Sequence, residues 1–370
     1  MILNIIRLII VIIGFGAAII LFYRFPKLKS KENTAINHIK LSIIIPVRNE
    51  EKNIALLLDD LQKQDIAIHE IICIDDASED KTREIVKGFG ITLVELKDKP
   101  QGWLGKSWAC ASGARIATGD TLLFLDADVR LQENAISKLL SAYQEQQCAI
   151  SVQPYHTTYK FYEQFSLFFN MVQIAGNGSA LPKPQNIGIY GPVIMLSQMD
   201  YQKIGGHESV KSCIVEDMAL AKQMKQNQVS YRVYIGDESI SFRMYSGGLR
   251  SLFQGWIKNL AIGVTKTPLK IGLPVFFLFG SLSSVPLQIT RFSILQEGNW
   301  IIVYSILYMI WVVALLVITR NIGKFKKGMI LLYPILLLVF LGVFIVSLIK
   351  KIFKIKVIWK GRAIKTEEKQ

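Results

Sequence analysis

The chain has 370 residues, of which 51% are hydrophobic and 19% are charged, and its formal net charge is +14. This composition is too apolar for an ordinary soluble enzyme and too charged for a protein made only of membrane helices, so it indicates a soluble domain joined to membrane segments. The basic residues concentrate near hydrophobic runs, and the sequence carries no zinc-finger or RNA-binding signature. We therefore expect contact with a membrane surface and no nucleic-acid partner.

The first apolar run, Ile2 to Tyr23, is interrupted only by Asn4 and Arg7 and is long enough to cross a bilayer. A signal peptide is the alternative, but no small-residue cleavage site is evident. Basic residues follow the run, at Arg24, Lys27, Lys29 and Lys31. The positive-inside rule then predicts an outer N-terminus and a cytoplasmic continuation. We expect a transmembrane helix over 1–25 and a polar linker over 26–40.

Strands and helices alternate from Leu41 to about Val152. The predicted strands are Leu41–Pro46, Glu70–Ile74, Ile91–Glu95, Thr121–Leu125 and Ala149–Gln153. The predicted helices are Glu50–Gln64, Glu79–Phe89, Gly105–Ala117 and Glu133–Gln144. This alternation predicts an α/β fold, with a mostly parallel sheet covered by helices on both faces. Ligands in such sheets bind at the carboxyl ends of the strands.

Two later segments have the composition of helices at a membrane interface. The aromatic-rich segment Tyr159–Ala175 is compatible both with a core helix and with an amphipathic helix at the interface. The segment Gly247–Gly263 combines apolar residues at helical spacing with Arg250 and Lys258. We expect an interfacial helix over 247–265.

The C-terminal part contains three further apolar runs of membrane length, Ile271–Ile289, Trp300–Thr319 and Met329–Ile349. We expect membrane segments over 266–350 and a basic cytoplasmic tail over 351–370. Lysines in the loop after the second run and in the tail predict that both are cytoplasmic. The two predictions conflict if all three runs cross the membrane, because the last run would then have its two ends on opposite sides. Pro334 and Gly342 make the last run the best candidate for a re-entrant or in-plane segment.

Two carboxylates, Asp126 and Asp128, directly follow the apolar strand Leu122–Leu125. On an extended backbone, residues two apart point the same way, and like charges held close repel unless a cation lies between them. A hard divalent cation such as Mg²⁺ is typically held by one or two carboxylates together with substrate phosphates. The motif therefore suggests a metal–diphosphate site, and the alternative is an acidic turn after a strand.

Further candidate residues lie at predicted strand ends and helix starts. Asp75-Asp76 could accept from a nucleobase or cap the following helix. Lys106, in Gly102-Trp103-Leu104-Gly105-Lys106, could contact phosphate or be an exposed lysine on a flexible loop. Asp217 of Glu216-Asp217 could be a general base or an N-terminal helix charge. Asn49-Glu50-Glu51 follows the first strand and could belong to the same site, or it could be an ordinary acidic helix start. We expect His207 to be a hydrogen-bonded structural histidine.

Together these blocks resemble family 2 glycosyltransferases with the GT-A fold. The matching stretches are Ile45 to Glu51, Ile74 to Ser78, Asp126 to Asp128, and Glu216-Asp217. The resemblance implies a GT-A domain over 41–246, metal binding by Asp126 and Asp128, and Asp217 as the base of an inverting displacement. It also implies a set of residues at the donor, namely Pro46, Asn49, Glu50, Asp75, Asp76, Lys106, Asp126, Trp256 and Lys258, with Asp75 at the base.

Five further stretches are similar to a lipid-modifying branch of the family, namely Gly102 to Lys106, Ser151 to His156, Phe242 to Tyr245, Gly255 to Lys258 and Trp359 to Arg362. The whole chain is most similar to enzymes that glucosylate a C30 carotenoid acid. Processive relatives carry Gln-x-x-Arg-Trp, whereas this chain reads Gln254-Gly255-Trp256-Ile257-Lys258, which favours a single transfer. The expected reaction uses UDP-glucose and Mg²⁺ or Mn²⁺, with a lipid acceptor taken from the bilayer. A hopanoid, sterol, glycolipid or polyprenyl phosphate acceptor is the alternative. A catalytically silent membrane scaffold is the alternative of another class.

Overall fold

The computed structural model describes residues 2–29, 38–353, 355, 357–359 and 362–364, without the side chains of 259, 261–266, 357–359 and 362–364. Residues 30–37 of the predicted linker 26–40, which include Lys31, and half of the predicted tail 351–370 therefore lie outside the described residues. The chain forms two compact units. The α/β unit comprises Pro26–Tyr155 and Gly188–Arg243, and the helical unit comprises residues 1–25, 156–187 and 244–367. We predicted one continuous domain over 41–246, whereas in the structure residues 156–187 belong to the helical unit.

The sheet of the α/β unit confirms the predicted fold class. The strands up to residue 242 are β1 (Leu41–Val47), β2 (Glu70–Asp75), β3 (Thr92–Glu95), β4 (Thr121–Leu125), β5 (Val129–Leu131), β6 (Ala149–Gln153), β7 (Tyr155–Thr157), β8 (Val193–Ser197), β9 (Tyr231–Ile235) and β10 (Ile240–Phe242). Seven described strands pair in the order β3-β2-β1-β4-β8-β6-β9. Strand β8 is antiparallel to both of its neighbours, and the remaining pairs are parallel. A separate antiparallel ladder joins β5 and β10.

The continuous apolar sequence of β1 fits a strand that is buried on both faces. Successive side chains of a strand point to opposite faces. Ile43 and Ile45 accordingly belong to one hydrophobic cluster and Ile44 to another, and all three are fully buried. The same alternation in β4 sends Leu123 to the first cluster and Phe124 to the second. The sheet is thus a central layer between two apolar cores.

The helices of the α/β unit agree with the predicted helices except at their ends. They are α2 (Ile54–Gln62), α3 (Thr82–Gly88), α4 (Gly105–Ile116), α5 (Ala135–Gln146), α7 (Gln198–Lys203) and α8 (Glu216–Gln226). Helix α2 begins four residues later than the predicted Glu50 start. Asn49 has a positive φ of 53°, and its N–H and that of Glu50 donate to side chains of the next loop. Residues 51–53 form a turn, in which the Asn53 N–H donates to the Glu50 carbonyl, and the helix follows it.

Residues 26–29, predicted as the start of a linker, are packed onto the α/β unit. The Ile235 N–H donates to the Pro26 carbonyl at 2.8 Å, and the Lys27 ammonium donates to the Gly236 carbonyl at 2.7 Å. Leu28 is 7% exposed and belongs to the first hydrophobic cluster. The described start of this segment is therefore part of the domain.

The helical unit contains α1 (Ile2–Leu21), α6 (Leu167–Asn177), α9 (Leu249–Lys266), α10 (Leu269–Ile294), α11 (Gly298–Ile322), α12 (Lys327–Leu331) and α13 (Tyr333–Ile352). It also contains the short strands β11 (Gly323–Lys324), β12 (Val357–Trp359) and β13 (Arg362–Ile364). Among the described helices, four are long and apolar enough to cross a membrane, namely α1, α10, α11 and α13. The last predicted run is divided at Leu332, but α13 alone retains membrane length.

Both segments predicted near the interface pack extensively within the protein. In α6, Phe168 and Phe169 are fully buried, which supports the core alternative for them, whereas Phe161 before the helix is 60% exposed. In α9, the Trp256 ring stacks on Phe169 at 4.7 Å between centroids, and the Ile257 carbonyl accepts from Ser347 of α13. The part of α9 around Trp256 and Ile257 is therefore covered by protein.

Candidate active site

The polar residues of interest gather where parallel strands end. Val47 of β1 pairs with Asp75 of β2, and β1 is also in register with β4, so the three strands finish at one edge of the sheet. Strand β8 runs the other way and begins there, because its first residue, Val193, pairs with Leu125. Carboxyl ends of parallel strands are the usual ligand-binding edge of such a sheet.

Asp126 and Asp128 lie on a turn, so the extended geometry that we expected for them is wrong. The Val129 N–H donates to the Asp126 carbonyl at 3.1 Å, which closes a four-residue turn between β4 and β5. The Asp126 N–H donates to the Pro192 carbonyl at 2.9 Å. This bond fixes Asp126 against the segment that enters β8, whereas Asp128 lies half-buried at the far side of the turn.

Lys106 is the centre of the charged cluster. Its ammonium lies 2.6 Å from Asp126 Oδ1 and 3.2 Å from Glu216 Oε1, and it is 3.5 Å from the Gly191 carbonyl. Lys106 is in the first turn of α4, where the helix dipole disfavours a positive charge. The two carboxylates offset that unfavourable position. Its side chain is 33% exposed and ion-paired, so the alternative of a free lysine on a flexible loop is wrong.

The loop before Lys106 is held in place by aromatic and backbone contacts. Trp103 is 7% exposed, and its ring packs edge-on against Trp108 at 5.1 Å. The Lys211 ammonium lies 5.8 Å from the Trp103 ring centroid, and the Lys211 carbonyl accepts from the Leu104 N–H at 2.8 Å. The sequence of this loop thus produces an anchored connection that presents Lys106 to the strand ends.

Asp217 is connected to the same cluster through Gly191. Its carboxylate accepts from the Gly191 N–H at 3.1 Å and from the Met218 N–H at 2.8 Å. A Cβ atom at Gly191 would lie 3.3 Å from both Asp217 Oδ2 and Lys106 Nζ, so a glycine leaves room for the two charged groups. Ser151 of β6 fixes the preceding residue by accepting from the Tyr190 N–H and donating to the Tyr190 carbonyl.

Burial and neighbouring charges shift the pKa values of this cluster. Burial alone would lower the pKa of Lys106, but attraction by Asp126 and Glu216 outweighs it and raises that pKa well above its usual value. Burial raises the pKa of Asp217 to about 6, with a further contribution from the Glu216 charge. Burial also raises the pKa of Asp126, against the opposing effect of Lys106, and the Glu50 charge adds to this rise.

The carboxylates suit a divalent cation that takes its other ligands from a substrate. Hard oxygen donors converge on the position of the Lys106 ammonium, which shows that the edge already accommodates a cation. Among the described residues, no three His, Cys, Asp or Glu side chains form a group that could hold a metal ion. Mg²⁺ usually keeps waters and is held by one or two carboxylates plus phosphates. Asp126 could therefore serve a cation that takes most of its ligands from a substrate, and metal binding by Asp126 and Asp128 stays a prediction.

A second group of predicted residues lies at the ends of β1 and β2. Asp75 is 1% exposed, and its carboxylate accepts from the Ser78 N–H at 3.1 Å and lies 3.8 Å from Arg83 Nε. Arg48 donates to the Asp76 carbonyl at 2.8 Å, and its guanidinium is 3.7 Å from the Asp76 carboxylate. Asp75 thus stabilises the turn after β2, and it does not cap the following helix, which begins at Thr82. Its contact with a nucleobase stays a prediction.

Asn49 and Glu50 join two loops at this edge. The Asn49 N–H donates to Ser78 Oγ at 3.0 Å, and Asn49 Oδ1 accepts from the Glu79 N–H at 2.8 Å. The Glu50 N–H donates to Thr82 Oγ1 at 2.8 Å. Pro46 pairs with Ile74 within the sheet, one residue before β1 ends. Asn49 and Glu50 thus tie the loop after β1 to the loop after β2, and the role of these residues at a donor stays a prediction.

The two remaining predicted donor residues belong to the other compact unit. Trp256 is 2% exposed, packs against Phe169 and Tyr245, and its Nε1–H donates to Ser166 at 3.4 Å. Lys258 is half-buried on the same helix. The structure does not bring them together with the carboxylates within one unit, so their assignment to the donor stays a prediction.

The expectation for His207 is confirmed. The His207 ring is buried and its Nδ1 lies 3.0 Å from the Tyr201 hydroxyl, as expected for a structural histidine. Burial lowers the pKa of His207 to about 3, which keeps the ring neutral. All four cysteines are free thiols, and three of them are buried.

Sequence reasoning missed three parts of the site. It placed Lys106 near phosphate without recognising Asp126 and Glu216 as its partners. It treated Glu216 as helix charge, and it gave no role to Gly191-Pro192. The one signal in the sequence was that pair itself, since a glycine beside a buried strand often marks a site where another segment approaches closely.

Comparison with known proteins supports the same fold. The model of the family "Glycosyl transferase family 2" matches residues 42–203. A mannosyltransferase from Pyrobaculum calidifontis, solved in complex with GDP-Man and Mn²⁺, superposes with a TM-score of 0.55 at 15% sequence identity. The superposition covers 95% of this chain and 99% of that one. At this identity the likeness shows the fold, which is of the GT-A type.

Curated relatives match along nearly the whole chain. The 4,4'-diaponeurosporenoate glycosyltransferase of Staphylococcus aureus strain USA300 is 34% identical over 376 aligned residues. The alignment covers 98% of this chain and 98% of the relative. The protein of the same description from strain MRSA252 matches with the same identity and coverage. The similarity therefore includes the membrane helices as well as the α/β unit.

Proposed function

The chain belongs to glycosyl transferase family 2, and we propose that it transfers glucose from UDP-glucose to a C30 carotenoid acid, 4,4'-diaponeurosporenoate, at a membrane. The observation that carries this proposal is the 34% identity over 98% of both chains to 4,4'-diaponeurosporenoate glycosyltransferase. Such a match spans the four apolar helices, and a lipid acceptor requires a membrane enzyme. The charged edge of the α/β unit supplies the groups that a transfer of this kind needs.

On the donor side, the residues at the strand ends have distinct roles in this proposal. Asp75 and the loops fixed by Asn49 and Glu50 orient the nucleotide, and Asp126 and Asp128 would hold a divalent cation. When bound, that cation supplies charge stabilisation for the departing diphosphate. Lys106 contributes a further positive charge at the same edge. The Mn²⁺ and GDP-Man of the structurally similar mannosyltransferase support a cation and a nucleotide-sugar donor.

On the acceptor side, Asp217 distinguishes between two kinds of nucleophile. A hydroxyl must lose its proton as it attacks the anomeric carbon, and Asp217 is a suitable base when it is ionised. A carboxylic acid with an ordinary pKa of about 4 is already ionised at neutral pH and needs no base. For a carboxylate acceptor, the positive Lys106, 3.2 Å from Glu216, offsets the repulsion from the acidic pair. In this proposal Asp217 orients the acceptor, and the displacement inverts the anomeric centre.

The active edge is proposed to face the cytoplasm, where nucleotide sugars are made. Arg24, Lys27 and Lys29 follow α1 directly, and the positive-inside rule assigns such a flank to the cytoplasmic side. The acceptor is proposed to enter from the bilayer, because a lipid tail favours the membrane by about 0.8 kcal/mol per buried CH₂.

The test uses the purified full chain in lipid nanodiscs with Mn²⁺ and 4,4'-diaponeurosporenoate. UDP-glucose is compared with UDP-galactose, UDP-GlcNAc and GDP-mannose, and products are identified by mass spectrometry. NMR of the glycosidic carbon gives the anomeric configuration of the product. Asp126→Asn should give no product. The matched control is Asp120→Asn, at the opposite end of the same strand. No product with any donor would contradict the proposal and favour a silent scaffold.

A second candidate acceptor is a lipid alcohol, such as a hopanoid, a sterol or a glycolipid. The specific observation in its favour is the pKa of Asp217, raised to about 6, which suits a general base near neutral pH. The same assay with the alcohol obtained by reducing the carotenoid carboxyl group decides between the two. Faster transfer to the alcohol than to the acid would favour this candidate.

A further inference from the structure

Two arginines meet inside the helical unit, at one end of the antiparallel pair α1 and α10. Arg7 of α1 donates to Asn4 Oδ1 at 3.4 Å, and Arg291 of α10 donates to the same oxygen at 3.2 Å. The two guanidinium nitrogens are therefore at most 6.6 Å apart. Arg291 also donates to Gln288 and lies over the Phe292 ring at 5.1 Å.

Neither arginine has a counter-charge within the described residues. Their hydrogen-bond partners are neutral amides, and no described carboxylate forms an ion pair with either guanidinium. The acidic residue of the adjoining loop, Glu297, is exposed. Two like charges that share a single neutral acceptor repel each other, and charged side chains in membrane segments normally pair with an opposite charge. The pair is therefore a cationic site for which the described part of the chain supplies no anion.

The position of the pair corresponds to the bilayer interface. Arg7 is five residues from the start of α1, which is about 7.5 Å along the helix, and Arg291 is about 4.5 Å from the end of α10. Aromatic rings lie at the same level, where Phe292 stacks on Trp300 at 5.6 Å and lies 5.6 Å from Tyr304. Aromatic residues of this kind mark the headgroup level of membrane proteins.

We propose that Arg7 and Arg291 together bind the phosphate group of an anionic phospholipid at this end of the bundle. A guanidinium presents a planar set of N–H donors that matches phosphate oxygens, and two of them within 6.6 Å can contact one phosphate group. Both side chains are half-buried, which is consistent with a buried aliphatic part and a guanidinium that a ligand can reach. The site is independent of the sugar transfer, and its ligand is a constituent of the membrane itself.

The test is native mass spectrometry of the full chain, delipidated in detergent and then offered equal amounts of phosphatidylglycerol and phosphatidylcholine. We expect adducts of phosphatidylglycerol to predominate. The double variant Arg7→Gln/Arg291→Gln should lose that preference by about 30-fold, as expected for two basic residues at a membrane surface. The variant Arg7→Lys/Arg291→Lys keeps both charges and should retain most of the preference even if the glutamine variant folds poorly.

The matched control is Arg320→Gln, an exposed arginine near the other end of α11. It should leave the lipid preference unchanged. Equal binding of the two lipids by the wild type, or an unchanged preference in a folded glutamine variant, would overturn the proposal. Inorganic phosphate is offered alone in a separate arm. Its binding at comparable occupancy would assign the site to soluble phosphate and overturn the lipid assignment.

Discussion

The ammonium of Lys106 lies 2.6 Å from the Asp126 carboxylate, which is the same group that we predict to hold a divalent cation. A positive side chain and a metal ion therefore compete for the negative potential of one strand end. If Lys106 is removed, Asp126 and Glu216 keep their charges without a partner, and the attraction for a cation increases.

Replacement of Lys106 is expected to separate metal affinity from turnover. Lys106→Met should tighten Mn²⁺ binding in the absence of donor by about tenfold or more. The reason is that one nearby opposite charge commonly shifts the pKa of a carboxylate by about one unit or more, which corresponds to a factor of about ten. Turnover should fall by about 10²-fold or more, because a positive group near the leaving diphosphate is lost. Free Mn²⁺ is measured by electron paramagnetic resonance. Lys222→Met, on the exposed side of α8, is the control, and equal Mn²⁺ affinity in both variants would contradict the competition.

Activity is expected to require a divalent cation and both carboxylates of the turn after β4. Asp128→Ala and Asp126→Asn should each abolish turnover while the protein still folds and inserts, since the change affects ligands rather than core residues. Excess chelator should have the same effect on the wild type and should be reversed by Mn²⁺. Asp120→Asn should remain active. Full activity in chelator would reject the metal role.

Asp217 is expected to matter much more for an alcohol acceptor than for an acid. Its pKa of about 6 leaves it ionised at pH 7, so transfer to the alcohol should decline about tenfold per pH unit below pH 6, where the base becomes protonated. Asp217→Asn should reduce transfer to the alcohol by about 10²–10⁴-fold and transfer to the carotenoid acid only modestly. Initial rates for both acceptors are measured from pH 5 to 8. A loss of several orders with the acid would show that Asp217 does more than accept a proton.

Gly191 is expected to be sensitive to a single methyl group. Gly191→Ala would place a Cβ 3.3 Å from both Lys106 Nζ and Asp217 Oδ2 and crowd the two charged groups. We expect turnover to fall by about tenfold, while thermal unfolding changes little because the backbone there requires no positive φ. Gly88→Ala, in α3 where no atom lies within 4 Å of the new Cβ, is the control. Unchanged kinetics in Gly191→Ala would show that the cluster tolerates displacement.

The α/β unit is expected to face the cytoplasm. Ser78 is unsuitable as a labelling position, because it is 2% exposed and accepts a hydrogen bond from the Asn49 N–H. Lys222 is exposed on α8, and Lys222→Cys provides an accessible thiol. In intact cells an impermeant maleimide should leave this thiol unlabelled, whereas lysed cells should show full labelling. The half-buried native Cys213 serves as the background control. Labelling of Lys222→Cys in intact cells would contradict the cytoplasmic topology.

The sequence by itself determined the layered α/β fold and the membrane helices. The unbroken apolar run of β1 can only be covered on both faces, and its alternating residues accordingly enter two separate cores. Runs as long and as apolar as α1 and α11 match the thickness of a bilayer whatever their neighbours are. The position of Asp75 at a strand end was also predictable, because strand length and the following turn residues are local properties.

Only the tertiary structure decided which charged groups meet. Lys106, Asp126 and Glu216 are far apart in sequence, and they converge because α4 and α8 both begin at the edge where β4 ends. Local reasoning also gave the wrong backbone for Asp126 and Asp128, since the extended strand stops at Leu125 and a turn follows. Side-chain partners across a sheet depend on strand order and register, and these follow from the packing of the whole domain, which no local pattern encodes.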